Sequence, residues 1–281
     1  MRYLFLSAII FCVFATYGKG KPDTLKHIKS EYLVSYTAEK VNGKIVKGER
    51  EWYLHFLDDE YNEYNKNGDV VKTIYWDEYG NLDEMTVFEF NQDDKLTKFA
   101  DFIVNEDGDT VMDYMTSFYY DHKGFCYLDS SFNGDYSLNL YSKSAYDYSQ
   151  NISVSKTLYP DGKMLAFYYQ YYNKAKQMIK MENRNKNNQL KSTTHYIRDT
   201  VENYYEYYTI VDNDTTSRSR TNYNEQGFSI WETHYFQDRN DVPIEHTFEY
   251  EVNEYGDWVK QYIYREGKLE YVVERELTYW D

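Results

Sequence analysis

Tyr120-Asp121-His122-Lys123-Gly124 holds the unit that governs this chain. Tyr-(Asp/Asn)-x-x-Gly, or a close variant, returns about every 12 to 16 residues through most of the sequence. Tyr64-Asn65…Gly68 and Tyr223-Asn224…Gly227 repeat it in full. Trp76-Asp77…Gly80, Val104-Asn105…Gly108 and Val252-Asn253…Gly256 change only the leading residue. The glycine reaches φ > 0 without steric cost. The Asn or Asp three positions earlier can bond its own backbone and start a turn. Each unit therefore predicts a chain reversal, and the segment after it predicts a strand.

Degenerate units fill the gaps: Asn91-Gln92-Asp93-Asp94, Asn173-Lys174-Ala175-Lys176, Asn185-Lys186-Asn187-Asn188, Asp212-Asn213-Asp214 and Gln237-Asp238-Arg239-Asn240. Asn-Gly at 42–43, 67–68 and 133–134 and Asp-Gly at 107–108 and 161–162 are strong hairpin signals. Period-two alternation is clean near the C-terminus. Leu269, Tyr271, Val273, Leu277 and Tyr279 share one face, with Arg275 intruding, while Glu270, Glu274, Glu276 and Thr278 share the other with Val272. The spacing predicts roughly fifteen to eighteen strands from Glu31 onward. The fold class expected is all-β: an antiparallel meander of repeated hairpins, one long twisted sheet curling on itself. The stretch 134–159, where turn spacing is lost, is the place for a seam should the sheet divide into two sub-sheets.

This punctuation resembles the YD repeats of bacterial Rhs-family proteins. The ending Tyr255-Gly256-Asp257-Trp258-Val259-Lys260 through Glu274-Arg275-Glu276 is similar to short secreted bacterial proteins with degenerate repeats of that kind. The resemblance implies the β-repeat architecture over most of the chain. Long Rhs proteins build shells around toxin domains, but this chain has too few repeats for such a shell, so a caging role is not carried over. Sugar binding is an association that comes with such repeats.

Composition sets the remaining bounds. Arg2 followed by the apolar run 3–17 and small residues at Gly18 and Gly20 predicts a signal peptide over 1–20, leaving one β-repeat domain over 21–281. Lipid anchoring at Cys12 is the lesser reading, because bulky Phe11 precedes it. A formal charge of −16 argues against nucleic acid, which requires a basic footprint. Cys126 is the one thiol outside the signal segment, so neither an intramolecular disulfide nor a cysteine zinc site is expected. The 35 tyrosines supply apolar area to a chain otherwise poor in aliphatic residues.

The acidic turns look like fragments of a calcium loop, but Ile74 and Tyr114 stand where the closing Glu is needed after Gly68 and Gly108. The six histidines lack zinc-protease spacing, and only His234 and His246 fall where neighbouring strands would bring them together. The carboxylate clusters Asp58-Asp59-Glu60 and Asp93-Asp94 suit a glycosidase only if buried and facing, and both fall at predicted turns. The aromatic runs are the most suggestive feature: Tyr168, Tyr169, Tyr171, Tyr172, Tyr204, Tyr205, Tyr207 and Tyr208. Because consecutive strand residues point to opposite faces, these rings serve as a cross-strand ladder, as a platform for sugar rings or a partner's side chains, or as both.

Together these readings predict an exported, non-enzymatic binding or structural module of the periplasm, cell surface or medium. No cofactor, metal or membrane-integral segment after signal removal is expected, and the partner is a protein or glycan of the cell envelope. The alternatives are a carbohydrate-binding module built on the exposed tyrosines and a hydrolase built on paired carboxylates.

Overall fold

The computed structural model describes residues 27–50, 59–77, 79–237 and 242–281, so the expected signal segment 1–20 lies outside the described residues. Among the described residues nineteen strands follow one another. They are β1 (Ile28–Val41), β2 (Lys44–Arg50), β3 (Glu60–Tyr64), β4 (Val70–Trp76), β5 (Leu82–Phe90), β6 (Leu96–Val104) and β7 (Thr110–Tyr120). Then come β8 (Cys126–Asn133), β9 (Leu138–Asp147), β10 (Ile152–Leu158), β11 (Met164–Tyr172), β12 (Met178–Asn185) and β13 (Leu190–Asp199). The last are β14 (Tyr204–Val211), β15 (Asp214–Tyr223), β16 (Ser229–Phe236), β17 (Ile244–Val252), β18 (Trp258–Arg265) and β19 (Lys268–Tyr279). No helix among the described residues is long and apolar enough to cross a membrane.

The turns follow the chemistry read from the repeat. In the 65–69 turn the Gly68 N–H donates to the Asn65 carbonyl at 3.0 Å and the Asn65 N–H to the Asp69 carbonyl at 2.8 Å. Asn65 Oδ1 accepts from the N–H groups of Asn67 and Asp69, both at 2.9 Å. Gly68 closes the turn at φ 78°, and Asp94, Lys176 and Asn188 adopt φ of 56°, 64° and 60° at the equivalent place in the degenerate units. All five of the Asn-Gly and Asp-Gly hairpin signals fall between paired antiparallel strands, with turns of differing length. In the turn that starts at Asn133-Gly134 it is Tyr136 that takes the positive φ (61°), and Gly134 is required because a Cβ there would collide with the Met112 carbonyl oxygen. Asn67-Gly68, Asp107-Gly108 and Asp161-Gly162 close these longer turns, whereas Asn42-Gly43, Asp212-Asn213 and Glu266-Gly267 are pairs with both φ positive.

From β3 to β19 each strand pairs with its successor, all antiparallel. The ladder runs through 134–159 without a break, so there is one sheet and no division into two sub-sheets at that place. β1 joins the ends. One edge pairs with β19 from Ile28↔Tyr279 to Thr37↔Tyr271, and the other pairs with β3 from Ser30↔Glu63 to Leu33↔Glu60. The sheet thus closes into an eighteen-stranded barrel, with β2 outside the circuit as the second arm of a hairpin on β1.

Direct cross-strand partners share a face, so the registers divide the side chains into two sets. The first face carries a belt of small polar groups bonded across the strands. Thr73 donates to Asn62 at 2.7 Å, Thr86 to Asp101 at 2.7 Å and Ser153 to Gln170 at 2.6 Å. The hydroxyl pairs Thr116–Ser131, Ser142–Thr157 and Thr194–Thr209 lie at 3.2, 3.1 and 3.0 Å. Small buried groups leave space for rings to lie over them, as where the Tyr114 hydroxyl reaches Ser131 at 2.6 Å. The second face carries lysines, arginines and glutamates in ion pairs, among them Lys98–Glu89 at 2.6 Å and Lys180 and Arg184 on Glu182 at 2.9 and 2.7 Å.

Arg275, the intruder on an apolar stripe, is explained by the closure. Its Nε and Nη2 donate to Glu31 on β1, each at 2.6 Å, and both side chains are buried. Glu31 also accepts from Asn62 Nδ2 at 2.9 Å and from the Tyr64 hydroxyl on β3. The Trp258 ring lies 4.6 Å from the guanidinium. Burial, and then the Glu31 charge, push the Tyr64 phenol well above its ordinary range. One carboxylate therefore ties β19, β1 and β3 together. Replacing Arg275 by Met leaves that carboxylate buried and uncompensated, and is expected to cost about 3–5 kcal/mol. In urea unfolding, the double variant Glu31→Gln/Arg275→Met should recover much of the loss, and an Arg275→Met protein as stable as the parent would remove the clasp from this account.

Candidate ligand-binding surface

The eight tyrosines singled out in the sequence separate into two groups of four. Tyr168, Tyr172, Tyr205 and Tyr207 lie on the first face, packed against Met178, Met181 and Tyr196 in one apolar cluster. They fill the role of a ladder. Tyr169, Tyr171, Tyr204 and Tyr208 lie on the second face, and each is covered by a polar neighbour. Lys180 Nζ sits 3.7 Å from the Tyr171 ring centre and the Arg184 guanidinium 4.9 Å from Tyr169. Arg220 lies 3.8 Å from Tyr204, and His195 stacks on Tyr208 at 4.9 Å. Two strands, β12 and β13, separate the Tyr169/Tyr171 pair from the Tyr204/Tyr208 pair. The rings thus do not form one continuous platform.

Beside Tyr204 and Tyr208 the second face deepens into a cleft of about 500 Å³ across β15, β16 and β17. Its lining includes Arg218, Arg220, Trp231, Thr233, Tyr235 and Glu245. The register sets Arg218 opposite Tyr235, Arg220 opposite Thr233, and Thr233 opposite Glu245. Arg218 is anchored to buried Glu206 through Nε at 3.0 Å and Nη2 at 2.9 Å. Arg220 Nε donates to Asn222 at 3.0 Å while its plane rests on Tyr204. This cleft is absent from the sequence reading. Its signal was the alternation Ser217-Arg218-Ser219-Arg220, which puts both guanidiniums on one face, but the Tyr235 and Thr233 opposite them come from another strand.

Other candidates resolve individually. Asp59 is no solvated turn acid: it is fully buried, ion-paired with Arg50, and accepts from the Ser35 N–H at 3.3 Å. Asp58 lies outside the described residues, while Asp93 and Asp94 are exposed in their turn as expected. The acidic turns spend their first oxygen on backbone, since Asn105 Oδ1 accepts from Asp107 and Asp109 N–H at 3.0 and 2.8 Å. Cys126 is half-buried, its Sγ 3.5 Å from the Leu128 carbonyl. His234 and His246 do fall on adjacent strands, with Glu232 opposite His246 and 3.4 Å from His234. Burial, then the nearby His234, hold the His246 imidazole below its ordinary range.

No protein family matches the chain, and no curated protein does. Among solved structures it is similar to a porin-like protein from Bacteroides uniformis, 8% identical, with 89% of this chain and 98% of that one aligned at a TM-score of 0.42. A porin-like protein from Bacteroides vulgatus aligns over 88% of this chain and 98% of that chain at 9% identity and a TM-score of 0.28. The Tc holotoxin pore of Photorhabdus luminescens aligns over 87% of this chain but 15% of that one, at 11% identity and a TM-score of 0.30. None of them assigns a ligand or an activity here.

Three carboxyls of the first face, Glu84, Asp101 and Asp129, are raised chiefly by burial, Asp129 to about 6 against the opposing hydrogen bond from Ser142. Because the folded pKa exceeds the unfolded value of 3.8, the stability Asp129 contributes is full below pH 3.8 and is lost as pH rises through about 6. Asp129→Asn should therefore raise the melting temperature relative to the parent at pH 7.5, with the gap closing toward pH 4. A gap that instead favours the parent at pH 7.5 contradicts the burial of this carboxyl.

Proposed function

We propose that the protein is an exported, non-enzymatic β-barrel that stays in water and works as a binding module at the cell envelope. The observation that carries this is the charge on both faces of a closed sheet. A bilayer-spanning barrel turns an apolar band about 25 Å tall toward lipid, and an Arg or Lys at the midplane costs about 2–4 kcal/mol. Here the first face holds Glu31, Arg275, Asp101, Asp129 and Glu232, and the second holds Lys98, Lys180, Arg184, Arg218 and Lys260 with their acidic partners. Neither set suits a lipid-facing wall. Export is supported by Arg2 and the apolar run that follows it. Binding is supported by the Tyr204–Tyr208 surface, where rings and guanidiniums are held in place by a rigid sheet. Degenerate YD-type repeats of short secreted bacterial proteins are the relationship this reading favours.

Expression of the full chain in a Gram-negative host, followed by fractionation, tests the first half. The protein should be released by osmotic shock or into the medium without detergent. Recovery only in carbonate-resistant outer membrane would overturn the reading. For the second half, a glycan or envelope-protein array should give hits that weaken at least tenfold when Tyr204 and Tyr208 are changed to Ala. Turnover of any glycan or peptide that one substitution abolishes would show an enzyme instead.

A further inference from the structure

We propose that the barrel associates with further copies of itself, a basic row on the second face of β7–β12 docking on an acidic stripe of β17 in the neighbouring copy. This goes beyond the binding-module reading and rests on it only in that the second face meets water. The registers line up one residue from each of six strands: Tyr119, Leu128, Lys143, Lys156, Phe167 and Arg184. Lys143 and Lys156 stand directly opposite each other, and both are exposed. Like charges so placed destabilise a sheet. Among the described residues neither lysine has an ion-pair partner. The two carboxylates that β9–β12 place on that face are already engaged. Buried Glu182 holds Lys180 and Arg184, and Asp147 accepts from the N–H groups of Ser149 and Gln150 at 2.8 and 3.2 Å. On a chain of formal charge −16, the row is a cationic patch edged with apolar groups, of which Tyr119 is 46% exposed.

The complementary surface lies on the same molecule. Glu245, Glu249 and Glu251 share the second face of β17, and all three are exposed. Glu249 accepts from the Tyr264 hydroxyl at 2.8 Å. Among the described residues Glu251 alone of the three meets a cation, Lys260 at 3.9 Å. In the row, Lys143 and Lys156 are about 5 Å apart and Arg184 about 10 Å farther on. Along β17, Glu251 and Glu249 are about 7 Å apart and Glu245 about 14 Å farther on. Each surface is thus a close pair followed by a more distant third charge, and flexible Lys and Arg stems span the differences. The row runs across strands and the stripe along one, so the strands of docked copies cross near a right angle. Six strands, β11–β16, separate β10 from β17, which puts row and stripe on different flanks of the closed barrel. Each docking therefore leaves one row and one stripe free. Such a contact is heterologous and grows beyond two copies, with charge complementarity setting its register.

The test is sedimentation of the full exported chain at rising concentration in about 0.1 M salt, where a Debye length of about 10 Å confines net repulsion between acidic copies to short range. The mean mass should rise with concentration and fall back in about 1 M salt, where that length is about 3 Å. Lys143→Gln/Lys156→Gln and Glu245→Gln/Glu249→Gln should each stay monomeric and melt no lower than the parent. An equimolar mixture of the two variants should form one-to-one pairs and nothing larger, because each keeps one intact surface. The variants shift net charge in opposite directions. Stronger association of the glutamate variant would therefore show net charge at work and overturn the proposal. A parent that stays monomeric overturns it, as does association that both variants retain. A monomeric parent that binds poly-glutamate through Lys143 and Lys156 gives the row to a foreign acidic partner and likewise overturns it. Should one variant fail to fold, the other still decides. In those cases detergent-free release and array hits dependent on Tyr204 and Tyr208 still uphold the module, whereas a membrane-embedded protein removes both readings.

Discussion

β1 is the constraint on which the rest depends. Every other pairing in the circuit joins strands adjacent in sequence, and such a chain of hairpins ends in two open edges. An open edge offers unpaired N–H and C=O groups to any passing strand. β1 removes both edges at once because its fourteen residues are long enough to take β19 on one side and β3 and then β2 on the other. The ion pair Glu31–Arg275 spans 244 positions of sequence and sits in the middle of that junction. Burying two charges is costly unless each is fully partnered. Here the carboxylate is met by Arg275, Asn62 and Tyr64, one from each strand that must meet, so closure in the right register is also what satisfies the charge.

Among the described residues no second sheet or helix covers the faces of this single-layered barrel, and the composition reflects that. Apolar clusters are small and local: Met178, Met181 and Tyr196 with four tyrosines, or Ile263 and Val273 with Leu33, Phe248, Trp258 and Tyr271. Between them the hydroxyl belt pairs its own polar groups, so burial leaves few of them unsatisfied. Tyrosine suits this construction because one ring buries area while its hydroxyl reaches water or a neighbour. The same composition gives both faces polar character.

Contacts between neighbouring strands fix the side chains around the cleft. Glu206 on β14 holds Arg218 on β15, and Tyr204 on β14 underlies Arg220, with Tyr235 and Thr233 of β16 opposite the two arginines. Those contacts join neighbouring strands, and each depends on register. A slip of one residue would send the arginines to the opposite face.

Much of this was legible in the residues themselves. Asn65, Asp121 and Asn224 mark turns because their side chains complete the turn locally, and the alternation of 269–279 marks a strand because its period is a property of the backbone. Even the degenerate units Asn91–Asp94 and Asn185–Asn188 could be placed, since the asparagine still bonds its own loop after glycine is lost. What depends on distant contact was not legible: Asp59 buried against Arg50, Gly134 beneath Met112, Arg275 paired with Glu31, and the eight tyrosines divided between two faces. Local chemistry alone therefore determined a meander of hairpins. Whether it closed, which face each ring took and that Arg220 came to lie opposite Thr233 were decided by inter-strand register, an energy shared between residues far apart in the chain that no single segment contains.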